Sequence, residues 1–186
     1  MKRVFLAGTA ALLMAAAPAF AQQTKGPNAT ADHQFAMKAA QGGMAEVELG
    51  RLATEKASSD EVKKFGQRMV DDHSKANDEL KSEAAKKNIT LPTTIDAKDK
   101  ALMDRLSKLS GPAFDRAYMT AMVKDHRTDV SEFQKEASTG HDPDLKAWAA
   151  KTLPTLQDHL KQAESVDQAV GTSGTKTTKS KATSGR

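Results

Sequence analysis

Residues 62–80 have the sequence VKKFGQRMVDDHSKANDEL, and this stretch decides the fold class. Its apolar side chains recur every three or four residues, at Val62, Phe65, Met69, Ala76 and Leu80. This spacing is the period of an amphipathic α-helix. His73 lies on the same stripe, where the pattern expects a core residue. The stretch therefore predicts a helix with a histidine on its buried face.

The same period continues through residues 31–168, whereas the alternating runs of Val, Ile and aromatic residues that indicate strands are missing from the sequence. Turn signals divide this region into four long helices and one short helix. The predicted helices are 31–57, 60–87, 97–109, 112–138 and 143–167. Two short loops and one longer connection that contains the short helix predict an all-α, antiparallel four-helix bundle with one crossover.

Both ends of the chain are predicted to lie outside this bundle domain. Residues 1–21 combine a basic start, an apolar stretch and the cleavage pattern Ala19-Phe20-Ala21, which is typical of a cleaved secretory signal peptide. We therefore expect a periplasmic protein. No transmembrane segment is expected in the mature chain, because no other stretch approaches the ~20 apolar residues that span a bilayer. Residues 22–30 are interpreted as a linker and residues 169–186 as a disordered basic tail.

The net charge of +4 comes from the two ends. Two cations lie in the signal peptide and four lie in the tail, so the remainder carries about −2. A basic nucleic-acid face is not indicated. The tail is either simply solvated or contacts an anionic envelope surface. The sequence contains no cysteine, so stability must come from a packed core or from a metal.

Three of the four long helices carry an Asp-His pair near the middle, and the first carries a glutamate there. These residues are Asp72-His73, Asp125-His126, Asp158-His159 and Glu46. The midpoints of antiparallel helices share one layer, and at a ~1.5 Å rise per residue a small register error leaves them within one turn. Because a buried carboxylate needs a partner, we predict a transition-metal site (Zn, Fe, Mn or Cu) whose ligands are Glu46, His73, His126 and His159.

The aspartate before each histidine points about 100° away around the helix. Asp72, Asp125 and Asp158 are therefore expected to accept a ring N–H from a histidine on a neighbouring helix, which would orient that ligand. The alternative is a buried Asp-His network without metal, which would respond to protonation near pH 6. Met69 and Met122 lie one turn before His73 and His126 and are interpreted as core residues.

Two of the Asp-His pairs belong to a longer repeat. The pattern Met-Val-x-Asp-His-x5-Glu-(Leu/Phe) begins at Met69 and again at Met122, 53 positions later. Two related helical hairpins would give a pseudo-twofold bundle. Asp32-His33 and His141-Asp142 fall at a predicted helix start and a turn, and both are interpreted as capping or surface residues.

Several segments resemble the bacterial domain-of-unknown-function 4142 family. They are FAMKAAQGGMAEVELGRLA over 35–53, VKKFGQRMVDDH over 62–73, and the later GPAFDRAY, VKDH and LPTLQDHL. The resemblance covers about residues 34–163. It implies an exported protein, often described as an outer membrane protein, with a ferritin-like four-helix bundle and no established activity. A ferroxidase-type di-iron centre is disfavoured, since Val70, Val123 and Leu156 stand where its Glu-x-x-His motif requires glutamate.

Two hypotheses follow for function. The first is a periplasmic bundle that binds a transition metal in its core. The alternative is a non-enzymatic structural or interaction protein of the envelope or of a stress response, with a buried Asp-His polar core. A hydrolase is disfavoured, because the sequence shows neither a Ser or Cys nucleophile motif nor a phosphate-binding glycine loop. Whether the metal would be catalytic depends on an open coordination position. The oligomeric state is left open.

Overall fold

The computed structural model describes the backbone of residues 27–181 and the side chains of residues 31–172. Every regular element in this range is an α-helix. The helices are α1 (Pro27–Lys56), α2 (Asp60–Lys86), α3 (Ala97–Ser107), α4 (Gly111–Thr139) and α5 (Pro143–Lys181). The all-α class is as predicted. The predicted signal peptide lies outside the described residues.

The first and the last helix are both longer than predicted. α1 begins at Pro27, inside the segment interpreted as a linker. α5 continues to Lys181, so the backbone of residues 169–181 is helical where the composition predicts a disordered tail. Val170 packs against the apolar core and the Thr172 hydroxyl donates to the Gln168 carbonyl. The Val170 contact is tertiary and the Thr172 bond is local to α5, and the composition alone showed neither.

The long helices pair into two hairpins. α1 packs along α2 and α4 packs along α5, while α2 contacts α5 and α1 contacts α4 between the hairpins. The short α3 lies against α1 and α4. None of the helices in the described part of the chain is both long and apolar enough to cross a bilayer.

Each hairpin loop is held by a buried aspartate from the other hairpin. Asp115, near the start of α4, accepts hydrogen bonds from the backbone N–H groups of Ser58 and Ser59, both at 3.0 Å. Asp32, near the start of α1, accepts from the N–H groups of His141 (3.0 Å) and Asp142 (2.6 Å) in the α4–α5 loop. Asp142 in turn accepts hydrogen bonds from the N–H groups of Asp144 and Leu145, both at 3.0 Å, and so caps the start of α5, as expected for its pair.

These matched contacts relate the two hairpins at a spacing of 83 residues, from 32 to 115 and from 59 to 142. The predicted repeat has a spacing of 53 residues and compares α2 with α4, which are the second and the first helix of their hairpins. The hairpins are thus related by their caps, and the similar Met-Val-x-Asp-His stretches occupy non-equivalent helices.

The apolar core forms two clusters. The first includes Phe65, Met69, Leu106, Phe114, Tyr118 and Met122, and the second includes Phe35, Leu80, Phe133, Trp148 and Leu156. Along α2, α4 and α5, the residues that separate the clusters are His73, His126 and His159, and on α1 Glu46 lies at the edge of the first cluster, next to Ala45. All four are buried. The four helices thus place their polar midpoints in a layer between two apolar blocks.

Candidate metal centre

The three predicted histidine ligands come together in the polar layer. The ring centroids of His73 and His126 are 5.9 Å apart, and each lies 5.4 Å from the ring centroid of His159. Each ring offers one nitrogen, and the three nitrogens lie within 4.8 Å of one another. Bonds of about 2.0–2.1 Å to one tetrahedral ion place its nitrogen ligands about 3.3–3.4 Å apart. The three rings therefore reach a common ion if their nitrogens approach one another by up to about 1.4 Å.

His126 is oriented by its own helix. Its Nδ1 lies 3.0 Å from the carbonyl oxygen of Met122, one turn earlier on α4. A carbonyl oxygen can only accept, so Nδ1 carries the proton and donates it. The Nε2 atom then has a free lone pair, and it is buried with no hydrogen-bond partner. Phe65 packs edge-on against this ring and closes the site on that side.

His159 is oriented by a carboxylate on the neighbouring helix. Its Nε2 lies 2.7 Å from Oδ2 of Asp72 on α2, and Arg68 donates to the same oxygen at 3.1 Å. The Nδ1 atom of His159 is buried without a partner. Asp72 thus makes the contact expected of it, and the resulting carboxylate–histidine pair resembles those that orient metal ligands.

All three histidines are held neutral. Burial, together with repulsion from the other two rings, holds the pKa of His73 well below its usual value. Burial and His159 lower the pKa of His126 to about 4. The pKa of His159 is also lowered, chiefly by burial, although its bond to Asp72 opposes the shift. The three imidazoles are therefore neutral, and each has a ring nitrogen with a free lone pair. A metal cation can bind such nitrogens without first removing a proton from an imidazolium ring.

Glu46 is placed beside this group rather than within it. Its Oε1 lies 3.7 Å from Nδ1 of His126, the nitrogen that already donates to Met122. The carboxylate instead groups with Asp125 and Asp129, each offering an oxygen within 4.8 Å of the others. Burial and the charges of Asp125 and Asp129 raise the pKa of Glu46 well above its usual value.

The other two predicted orienting aspartates do not contact the histidines. Asp125 faces Glu46 and lies 3.7 Å from the Nζ of Lys98. Asp158 is exposed and influences His159 only through its charge. The aspartate before a histidine is always turned about 100° to the same side of its helix. Only on α2 does that side face a histidine of the neighbouring helix.

Asp129 is the residue of this region that the sequence reasoning missed. It is half-buried, and burial together with the charge of Asp125 raises its pKa to about 8. The signal was present in the spacing, since Asp129 follows the loop-capping Asp115 by 14 residues, as Glu46 follows Asp32. Glu46 and Asp129 thus occupy equivalent positions in the two hairpins.

Comparisons with known proteins agree with the fold and give a family. The crystal structure of a DUF305 fragment from Deinococcus radiodurans matches with a TM-score of 0.66 and 14% identity, covering 75% of this chain and 96% of that chain. CopM in its Cu(I)-bound form matches with a TM-score of 0.62 and 16% identity, covering 74% of this chain and 96% of that chain. No curated protein matches the chain significantly.

The family model described as "Domain of unknown function (DUF4142)" matches residues 15–166. This range includes all four long helices up to Val166 and every residue of the polar layer. The chain belongs to the DUF4142 family.

Proposed function

We propose that this protein binds one transition-metal ion through His73, His126 and His159, in the core of an antiparallel, ferritin-like four-helix bundle exported to the periplasm. One observation carries the proposal. Three histidines from three helices each leave a buried nitrogen without a hydrogen-bond partner, and each ring has a nitrogen within 4.8 Å of one in each of the other two rings. Buried polar atoms are nearly always satisfied, and a shared cation would satisfy all three nitrogens at once.

The donor set favours zinc or copper among the candidate metals. Neutral imidazole nitrogens suit zinc, copper, iron and nickel, whereas manganese prefers oxygen ligands. The solved neighbour CopM is described as Cu(I)-bound, which makes copper a necessary member of the test. Glu46, whose Oε1 lies 3.7 Å from Nδ1 of His126, is placed beside this group and not among its ligands.

The surroundings favour binding over catalysis. Three protein ligands leave one coordination position open, as in catalytic zinc sites. Beside His73 lies a cavity of about 20 Å³, lined also by Gly43, Asn77 and Trp148. This volume holds about one water molecule, and a substrate would not fit. We infer a role in metal storage, buffering or transfer.

A second candidate function is a structural or interaction protein of the envelope that uses the same layer without metal. The bonds from His159 to Asp72 and from His126 to Met122 support it, because both form without an ion. They orient only two of the three rings, however, and they leave the facing nitrogens unsatisfied. The metal-binding function therefore accounts for more of the geometry.

The test is the metal content of the purified mature protein and of two variants. We expect the wild type to bind one equivalent of Zn²⁺ or copper and His126→Ala to lose it. The control is His141→Ala, since His141 is an exposed histidine in the α4–α5 loop outside the group. A metal-free wild type that also fails to take up added Zn, Cu, Fe or Mn would exclude the proposal and leave the structural function.

A further inference from the structure

Glu46 is the most unusual residue of the core, because it is fully buried and neither carboxylate oxygen has a hydrogen-bond partner. An isolated buried carboxylate costs several kcal/mol or takes up a proton. The nearest imidazole cannot neutralise it, since His126 is itself held neutral and its Nδ1 proton is donated to Met122. Glu46 therefore either holds a proton that it shares with Asp125 or binds a cation on another side.

The groups on that side are also acidic. Asp125 and Asp129 on α4 each place an oxygen within 4.8 Å of a Glu46 oxygen and of one another. Asp99 on α3 is buried nearby, and its charge adds to the unfavourable field at Glu46. Among the described residues, Lys98 on α3 supplies a positive charge next to these carboxylates. It is largely exposed and lies 3.7 Å from Asp125. One exposed lysine leaves the cluster with an excess of negative charge.

A second buried polar atom shares this environment. The hydroxyl oxygen of Tyr118 is fully buried without a partner, and the charge of Glu46 contributes to raising the pKa of Tyr118. Burial remains the larger cause of that shift. The Tyr118 hydroxyl and the Glu46 carboxylate are thus two buried polar groups without a partner in the same part of the core. Because buried polar groups nearly always have a partner, this favours a bound ion or water molecule there.

We propose that Glu46, Asp125 and Asp129 form a second cation site, distinct from the three-histidine site, which takes a hard divalent ion such as Mn²⁺, Mg²⁺ or Ca²⁺. Carboxylate oxygens are the preferred ligands of these ions. Three carboxylates supply between three and six oxygens, and water completes the shell. Glu46 and Asp129 are equivalent residues of the two hairpins, so the ion would bridge α1 and α4.

The site has a route to solvent. Asp125 and Asp129 are half-buried, and Asp125 lines a groove of about 850 Å³ between α3 and α4. Lys98 lines the same groove, where its ammonium group serves as a partial counter-ion until a metal enters. The ion would reach Glu46 past these side chains, without passing the three histidines.

The experiment is a titration of the mature, chelator-treated protein with Mn²⁺, followed by electron paramagnetic resonance. We expect Glu46→Gln to lower the Mn²⁺ affinity by at least about 100-fold, since even residues that only orient ligands are worth 10–100-fold. Glu48→Gln is the matched control, because Glu48 is an exposed glutamate two residues away on the same helix. His159→Ala should leave Mn²⁺ binding unchanged while it removes the Zn²⁺ or copper site.

Each other outcome contradicts the proposal. A wild type that binds none of Mn²⁺, Mg²⁺ and Ca²⁺ would show that Glu46 and Asp125 share a proton instead. Equal losses of Mn²⁺ in Glu46→Gln and His159→Ala would show one mixed site. Asp129→Asn, at a half-buried position, provides a second variant in case Glu46→Gln misfolds. It too should lose Mn²⁺ and retain Zn²⁺ or copper.

Discussion

At the scale of single residues, Asp72 and Asp158 act on His159 in different ways. Asp72 orients the ring through a hydrogen bond, whereas Asp158 acts only through its charge. Both lie close to His159, but only Asp72 contacts its ring, at 2.7 Å from Nε2. Hydrogen bonds from His159 and Arg68 outweigh the effect of burial and hold the pKa of Asp72 below its usual value. Asp72 is therefore a charged acceptor that fixes the ring and its tautomer.

We expect Asp72→Asn to weaken Zn²⁺ or copper binding by about 10–100-fold, because an amide is a poorer acceptor and allows the ring to turn. Asp158→Asn makes the same chemical change at an exposed position and should leave the affinity unchanged. Competition with a chromophoric chelator would measure both. Equal losses in the two variants would indicate that the charge near His159, rather than the hydrogen bond, governs affinity.

The sequence could predict which residues line the polar layer, but not how they divide into groups. Helical periodicity places Glu46, His73, His126 and His159 on core stripes, and the structure buries all four. Whether Glu46 faces the histidines or Asp129 depends on the rotation of α1 against α4 by a fraction of a turn. Periodicity does not fix that rotation, so the layer was predictable, whereas the inclusion of Glu46 among the histidine ligands stays a prediction.

At the scale of helices, the contact between α1 and α2 depends on two glycines. A methyl group on Gly66 would lie 2.7 Å from Cβ of Ala53 and 2.8 Å from the carbonyl oxygen of Gly50. A methyl group on Gly50 would lie 2.5 Å from the carbonyl oxygen of Gly66. Backbone atoms cannot move aside as a side chain can, so the two helices approach this closely because both residues lack Cβ.

We expect Gly66→Ala to destabilise the protein by about 1–3 kcal/mol, because the added methyl group forces the helices apart. Gly42→Ala is the matched control within α1, since no heavy atom lies within 4 Å of its added Cβ. It should stabilise by about 0.5–1 kcal/mol through helix propensity. Urea unfolding measures both changes. A neutral Gly66→Ala would show that the helices are not in close contact at this point.

Helix ends were less predictable than helix interiors, because an end can depend on a tertiary contact that the sequence pattern does not show. Residues 62–80 carry their helical period in the sequence, and α2 follows it. Beyond Asp167 the composition is polar and rich in glycine, and the continuation of α5 depends on the packing of Val170 against the first apolar cluster. A single tertiary contact of that kind leaves no periodic signal.

At the scale of the whole molecule, the two polar groups have opposite effects on stability as pH changes. The histidines have folded pKa values below their unfolded value of about 6.5, so below pH 6.5 the unfolded chain binds more protons and stability falls with falling pH. Glu46 and Asp129 have folded pKa values above their unfolded values near 4. Between those values the folded chain binds more protons, and stability falls with rising pH.

The metal-free protein should therefore be most stable near pH 6.5 and lose stability on both sides. Each group contributes a slope of up to about 1.4 kcal/mol per pH unit, so His126→Ala should flatten the acid limb by about that amount. Glu46 contributes a term that falls with rising pH from about pH 4 upward, so Glu46→Gln should steepen the acid limb, where this term opposes the histidines, and flatten the alkaline limb. Urea unfolding in the presence of a chelator from pH 5 to 8.5 would give both limbs. If Glu46→Gln flattened the acid limb instead of steepening it, Glu46 and the histidines would titrate as one coupled group, and the division of the layer into two sites would not hold.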